Sequence, residues 1–157
     1  MGVSICMVSG IYYLIINLSR DVVLNIGHLG YFSFTKGTYI YIGSGKGAGG
    51  IYRRTSRHTS KNKNVFWHID YLTTSVEAQV LVAIAVINTA LNESFLVKLL
   101  IEDACFKPTI EGFGCSDLRR DFTHLFKFIC TKDVVSYLIS KLINAGTPKE
   151  NIMLIRN

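Results

Sequence analysis

Apolar residues come along this chain in short blocks broken by glycine and polar turns, and the blocks follow two different periods. Those rich in β-branched and aromatic residues predict strands at Ser9 to Leu18, Val22 to Ile26, Tyr31 to Phe34, Thr38 to Ile42, Val76 to Ile87 and His124 to Ile129. Turn signals at Gly27 to Gly30 and Lys36-Gly37 separate the first four, which predicts an antiparallel meander. Helical spacing governs the rest. Ile51 to Thr59 carries arginines through a segment weakened by Ser and Thr, so tertiary contacts must hold it. Val65, Phe66, Ile69 and Leu72 predict one buried face of a short helix, with His68 and Asp70 turned away from it. Asn92 is an N-cap for a helix to about Asp103, striped by Phe95, Leu96, Leu99 and Leu100, with Glu93 in its first turn. Asp133 to Asn144 is a last amphipathic helix, closed at Gly146 with Pro148 beyond. The expected class is α+β, a small mainly antiparallel sheet flanked by helices, in one domain over residues 1–157 with 129–157 as a C-terminal helical extension.

At 157 residues the chain can bury a core without disulfides or a metal. Its residues are 49% hydrophobic, yet the longest apolar run, around Val80 to Ile87, is too short to cross a bilayer. Met1 to Ser9 lacks the basic start and apolar centre of a signal peptide, so a cytoplasmic location is expected. Cys6, Cys105, Cys115 and Cys130 never fall at the two-residue spacing of a zinc knuckle or redox pair and are expected as buried free thiols. A zinc site drawn from His68, His124, Cys115 and Cys130 lacks the paired ligands by which such sites announce themselves. The net charge of +6 changes the picture more. Lys46, Arg53, Arg54, Arg57, Lys61 and Lys63 fall between Gly43 and Asn64 with no Asp or Glu among them, so a polyanion is the natural partner. If all of them met phosphates, log affinity would fall with log salt at a slope of up to about −5 for duplex DNA. The alternative is a solvated basic face.

Gly10-Ile11-Tyr12 and Tyr41-Ile42-Gly43 each set a tyrosine beside a glycine in a strand, and the basic helix and Glu93 follow in that order. Either tripeptide alone is unspecific, since such residues fill strands everywhere; the order is not. The chain resembles the GIY-YIG nuclease family, and most of all a subfamily of unknown function sometimes fused to endonuclease III. The matching pieces are GIYYLIINL at Gly10 to Leu18, IGHLGYFSF at Ile26 to Phe34, GTYIYIGSGKGAGGIYRR at Gly37 to Arg54, and Arg57-His58. They continue with WHIDYL at Trp67 to Leu72, Asn92 to Ser94, GFGCSD at Gly112 to Asp117 and His124 to Phe126. The resemblance implies a three-stranded antiparallel core, enlarged here by an extra hairpin between the tripeptides. It implies one divalent metal per site, Mg²⁺ or Mn²⁺, and hydrolysis of a DNA strand in repair or recombination. DNA is the implied partner, with RNA left open and a DNA-repair glycosylase as a companion. The implied catalytic residues are Tyr12, Tyr41 and Arg54, with His58 one turn beyond the arginine and Glu93 as the metal-binding carboxylate. Ser116, Asp117, His124, His68 and Asp70 fall in subfamily motifs; they line the cleft or serve as turn, cap and core residues, the latter favoured for His68 and Asp70. Cysteines that the subfamily carries near Leu118 to Arg120 are absent, which argues against an obligatory metal cluster there. A nucleic-acid-binding module that does not cut, and an accessory domain of a repair enzyme, are the competing functions.

The residues suit this chemistry in their own right. Arg54 and His58 are four apart, so on a helix they share a face and can approach one phosphate. A guanidinium grips phosphate oxygens bidentately and stays charged. A tyrosine, titrating ordinarily near ~10, serves as general base only if adjacent cations acidify it or if it passes its proton on. Otherwise it is a buried phenol satisfied by backbone, and the choice between Tyr12 and Tyr41 as base stays open. Mg²⁺ keeps several waters and takes one or two carboxylates, so Glu93 alone can suffice; an acid there also favours the helix N-terminus by about 0.5 kcal/mol. Bound there, the metal is expected to stabilise the leaving oxygen while Arg54 neutralises charge on the phosphorane. The glycine loop at Gly43 to Gly50 is not a P-loop, because Ile40 stands where its first glycine belongs and Gly47 where Ser or Thr belongs. It is expected to bring backbone N–H groups and Lys46 to a phosphate, with Arg53, Arg57, Lys61 and Lys63 as further nucleic-acid contacts.

Overall fold

The computed structural model describes residues 7–115 and 120–156. In chain order its elements are β1 (Gly10–Leu18), β2 (Val22–Asn25), β3 (Tyr31–Phe34), β4 (Gly37–Ser44), α1 (Gly50–Thr59), α2 (His68–Thr73) and β5 (Ala78–Ile87). They continue with α3 (Glu93–Ile101), β6 (Phe106–Pro108), β7 (Leu125–Phe128), α4 (Val134–Asn144) and β8 (Ile152–Ile155). Six strands form one antiparallel sheet ordered β6-β7-β4-β1-β5-β8, and β2 pairs with β3 in a separate hairpin. This is the expected α+β class.

The meander expected of the first four strands does not form. β1 is buried along both faces and pairs with β4 on one edge and β5 on the other, while the short, alternately exposed β2 and β3 stand aside as the extra hairpin. Two edge strands escape the sequence pattern. β6 is three residues long and ends in Pro108, which only an edge tolerates. β8 adds to β5, so the C-terminal segment expected as helical contributes α4 and then a strand. The pairing of β6 with β7 also brings Cys105 and Cys130 together across 25 residues, and they form a disulfide where free thiols were expected. Cys115 stays a buried free thiol.

Strand alternation sorts the core into two faces. Tyr12, Leu14, Ile16 and Leu18 of β1 share one with Tyr39 and Tyr41 of β4, against Ile51 of α1 and Ile69 and Leu72 of α2. Ile11, Tyr13, Ile15, Ile40 and Ile42 share the other, against Leu96, Val97 and Leu100 of α3 and Leu138 and Leu142 of α4. Among the described residues no helix is long and apolar enough to cross a membrane.

Candidate active site

Antiparallel register sets the two motif tyrosines close together. Tyr12 lies opposite Gly43 and Leu14 opposite Tyr41, so the tyrosines are diagonal neighbours on the face that α1 covers. Both tripeptide glycines are steric requirements of this closeness. A Cβ at Gly43 would stand 2.5 Å from Cζ and from the hydroxyl of Tyr12. A Cβ at Gly10 would stand 2.2 Å from the Val86 carbonyl oxygen and 2.8 Å from Cδ1 of Ile51. Bare backbone thus lets a phenol lie across β4 and lets α1 settle on β1.

His58 completes the cluster from α1. Its Nε2 is 2.7 Å from the Tyr12 hydroxyl, and its ring centroid is 5.8 Å from those of both Tyr12 and Tyr41. All three side chains are buried. Burial pushes both phenols above their ordinary range; for Tyr12 the neighbouring Tyr41 adds to the rise, Arg54 opposes it and Glu93 adds again. For Tyr41 burial leads, opposed by Arg54 and reinforced by Glu93. Of the two conditions under which a tyrosine serves as base, acidification by adjacent cations is not met, because desolvation outweighs the guanidinium. Burial, with Lys63 beside it, brings the His58 imidazole down to about 3, so it is neutral. With both partners neutral, the Tyr12 hydroxyl and His58 Nε2 share one hydrogen bond whose direction follows the imidazole tautomer, and the buried Nδ1 has no partner among the described residues.

Arg54 and Glu93 act on this cluster through their charges, from different elements. The Arg54 guanidinium lies 4.3 Å above the Trp67 ring and, among the described residues, makes no ion pair. Glu93 is half-buried in the first turn of α3, capped by Asn92 as expected, and is likewise without an ion pair among the described residues. Although α3 packs on the other face of the sheet, the chain just before it is tied to the glycine loop, where Lys46 Nζ donates to the Leu91 carbonyl at 2.6 Å. From that end the Glu93 charge acts on both phenols. Among the described residues no three His, Cys, Asp or Glu side chains cluster to hold an ion. A lone carboxylate of this kind fits a hard cation that keeps most of its waters, and does not fit zinc.

The basic segment divides in two. Lys61 Nζ donates to the carbonyls of Thr73 at 2.8 Å, Ser75 at 2.7 Å, and Ala78. Lys63 Nζ donates to the Arg57 carbonyl at 3.0 Å and to Thr73 Oγ1 at 2.8 Å, and lies 3.5 Å from Asp70 Oδ1 with its side chain only 5% exposed. Arg57 Nη2 donates to Asp70 Oδ2 at 2.7 Å and to the Asn64 carbonyl at 2.9 Å. The three cations thus tie the 60–67 loop and α2 to α1, where they were expected to meet nucleic acid. Lys46 and Arg53 remain exposed, with Arg54 half-exposed beside them.

Asp70, expected to point away from the core, is the buried centre of that arrangement. Its Oδ2 accepts from the backbone N–H groups of Phe66 and Trp67, each at 2.9 Å, which starts α2 at His68 and leaves Val65 and Phe66 exposed where a buried helical face was expected. Burial pushes its carboxyl up, but the two amides, Arg57 and Lys63 together hold it below the usual carboxylate range. His68 Nδ1 accepts from the Gly114 N–H at 2.9 Å, a structural tie between α2 and the following turn. His124 is buried beside Tyr41 around Gly114, and its Nε2 is 2.8 Å from Asp121 Oδ2, which also accepts from Ser94 Oγ at 2.8 Å. Ser116 and Asp117 lie outside the described residues.

Arg53, Arg54, Arg57, Asn64, Phe66 and Trp67 line a hollow of about 360 Å³ beside the cluster. Sequence reasoning missed the aromatic half of it, although an aromatic pair directly after a cationic run was the available signal. No curated protein and no solved structure matches the chain. A family model, however, matches residues 11–146, which hold Tyr12, Tyr41, Arg54, His58 and Glu93, and the chain belongs to the family described as Domain of unknown function DUF123.

Proposed function

We propose that the chain is a GIY-YIG type endonuclease that hydrolyses phosphodiester bonds of DNA with a divalent metal, in repair or recombination and in the cytoplasm. What supports this reading is one juxtaposition: two buried phenols against a neutral imidazole that stands 2.7 Å from the hydroxyl of Tyr12, within electrostatic reach of a guanidinium and a carboxylate that make no ion pair among the described residues. Arg54 grips the phosphate and stabilises the charge that grows on it. Glu93 would hold Mg²⁺ or Mn²⁺, which when bound supplies positive charge to the leaving oxygen. Tyr12 accepts a proton from the attacking water as its own proton passes to His58 Nε2, whose low resting affinity for a proton rises as the bound phosphate brings negative charge beside it, while the water oxygen bonds to phosphorus and the bond to the leaving ester oxygen breaks. A phenol with a raised pKa is a poor acid but, with an acceptor behind it, an adequate relay. Tyr41, at 8% exposure against 1% for Tyr12, is the phenol that water reaches first and serves to orient it.

The test is to incubate the full chain with branched, nicked and plain duplex DNA, in Mg²⁺ or Mn²⁺ and in chelator. Metal-dependent cleavage, abolished in Glu93→Ala and in Arg54→Ala while Glu93→Ala still binds DNA, is the expected result. Binding without cleavage of any substrate would move the chain to the class of non-cutting nucleic-acid modules.

A further inference from the structure

We propose that the hollow beside the cluster is a seat for one unstacked nucleobase of a single strand, next to the phosphate held by Arg54. The proposal rests on the nuclease reading for the identity of that phosphate; the seat itself rests on its own geometry.

Phe66 is 80% exposed, and leaving a phenyl ring in water forgoes about 1.5–3 kcal/mol of burial. Its backbone is anchored, because the N–H groups of Phe66 and Trp67 are both held at 2.9 Å by the buried Asp70 carboxylate. The two rings stand edge to face, with centroids 5.7 Å apart at 84°. Trp67 in turn carries the guanidiniums of Arg54 and Arg57 at 4.3 and 4.7 Å from its ring centroid. A rigid, solvent-facing aromatic ring beside cations is how single strands are gripped without regard to sequence, since every base has a face to stack. The hollow also holds an unmet demand. Arg57 Nε finds no acceptor among the described residues, and Arg57 is one of the three arginines that line the hollow and give it a positive wall for the strand's phosphates. At about 360 Å³ the volume falls in the range of small-ligand sites. A base stacked inside a duplex presents no face to such a seat, so the occupant is an unpaired nucleotide. Arg54 lines the hollow and stands one helical turn from His58, so a strand seated there runs directly into the cluster. The seat would therefore direct the enzyme to flaps, gaps and junctions.

Trp67 is the chain's single tryptophan, so its fluorescence reports on the seat directly. The full chain, without metal, is titrated with a short oligothymidylate, with an abasic oligonucleotide of equal length, and with a blunt duplex. Quenching by oligothymidylate alone is expected, with Phe66→Ala weakening its binding about tenfold and Phe66→Tyr restoring it. Equal binding of the abasic strand, equal quenching by duplex, or no effect of Phe66→Ala would overturn the seat. Cleavage measured separately keeps the two readings apart. Quenching that persists in a protein unable to cut any DNA leaves the seat standing and removes the nuclease, whereas cleavage without quenching removes the seat alone.

Discussion

The two faces of the central sheet use the same strands and differ in what their helices bring to them. Tyr12 and Tyr13 are adjacent in β1, both fully buried, and both pushed well above the ordinary phenol range by burial. Tyr13 faces α3 and donates to the Leu96 carbonyl at 2.9 Å, where its proton has nowhere further to go. Tyr12 faces α1 and meets an imidazole, which can take a proton. Burial and a displaced pKa are thus common to both, and under the proposed function the partner alone separates the tyrosine assigned to chemistry from the one assigned to packing. Volume is no better guide. A larger hollow of about 590 Å³ opens on the second face around Phe95, Lys98, Glu102 and Lys141, but Asp103 there is engaged by Lys141 and by Tyr137, each at 2.7 Å. On the first face the Arg54 guanidinium makes no ion pair among the described residues.

Acid should break the symmetry of the faces most strongly. His58 titrates near 6.5 when unfolded and near 3 when folded, so the unfolded chain binds the extra proton. Its contribution is therefore complete above about 6.5 and is lost as pH falls through the folded pKa, by up to roughly 5 kcal/mol over that window. Asp70, also held below its ordinary range, adds to the loss at the acid end. Urea unfolding measured from pH 7 to 4 should show steep destabilisation that His58→Gln flattens. Parallel curves for the two proteins would mean that the imidazole is not confined as described.

Next in size is the contrast between Tyr12→Phe and Tyr13→Phe. Each removes one buried hydrogen bond and should cost about 1 kcal/mol of stability. Cleavage should fall by about 10²-fold or more in Tyr12→Phe and stay within a few-fold in Tyr13→Phe. Equal losses would abolish the distinction between the faces.

Much of this was legible in the sequence because it depends on local period. The strand blocks give β1 and β4 and the four-residue step assigns Arg54 and His58 to one side of α1, whereas the shared face of Tyr12 and Tyr41 comes from the pairing of β1 with β4. Asn92 caps α3 as its side chain foretells, accepting from the Ser94 N–H at 3.0 Å. What failed to show depends on partners distant in sequence. Lys61 and Lys63 look like free cations until α2 folds back and offers them Thr73 and Asp70. The apolar spacing around Phe66 mimics a helix face, but the Asp70 carboxylate claims the backbone ahead of His68 and turns the ring outward. Cys105 and Cys130 are neighbours only through an edge strand too short to announce itself.

Gly43→Ala sharpens the comparison from the backbone side. The new methyl would need the space of the Tyr12 hydroxyl, 2.5 Å away, and that hydroxyl is fixed by His58. A loss of about 1–3 kcal/mol is expected, together with reduced cleavage, because the ring must give way. Gly47→Ala, which meets nothing within 4 Å, is the matched control in the same loop. If both substitutions behave alike, closeness to Tyr12 is not what the glycine provides.

The smallest effect concerns salt, and it separates cations turned outward from cations used by the fold. Six phosphate contacts would give a slope near −5 in log affinity against log salt. With Lys61, Lys63 and Arg57 committed to carbonyls and to Asp70, only Lys46, Arg53 and Arg54 remain to release counterions, which lowers the expected slope to about −3. Arg53→Ala should make it shallower by about 0.9, a change of roughly threefold in affinity between 50 and 200 mM salt. Lys61→Gln should leave it unaltered, because an ammonium that donates to three carbonyls has no proton left to meet a phosphate and displaces no counterion from the DNA. Equal changes for the two substitutions, measured on one duplex across that salt range, would put Lys61 back on the binding surface and require the α2 carbonyls to be satisfied by something else.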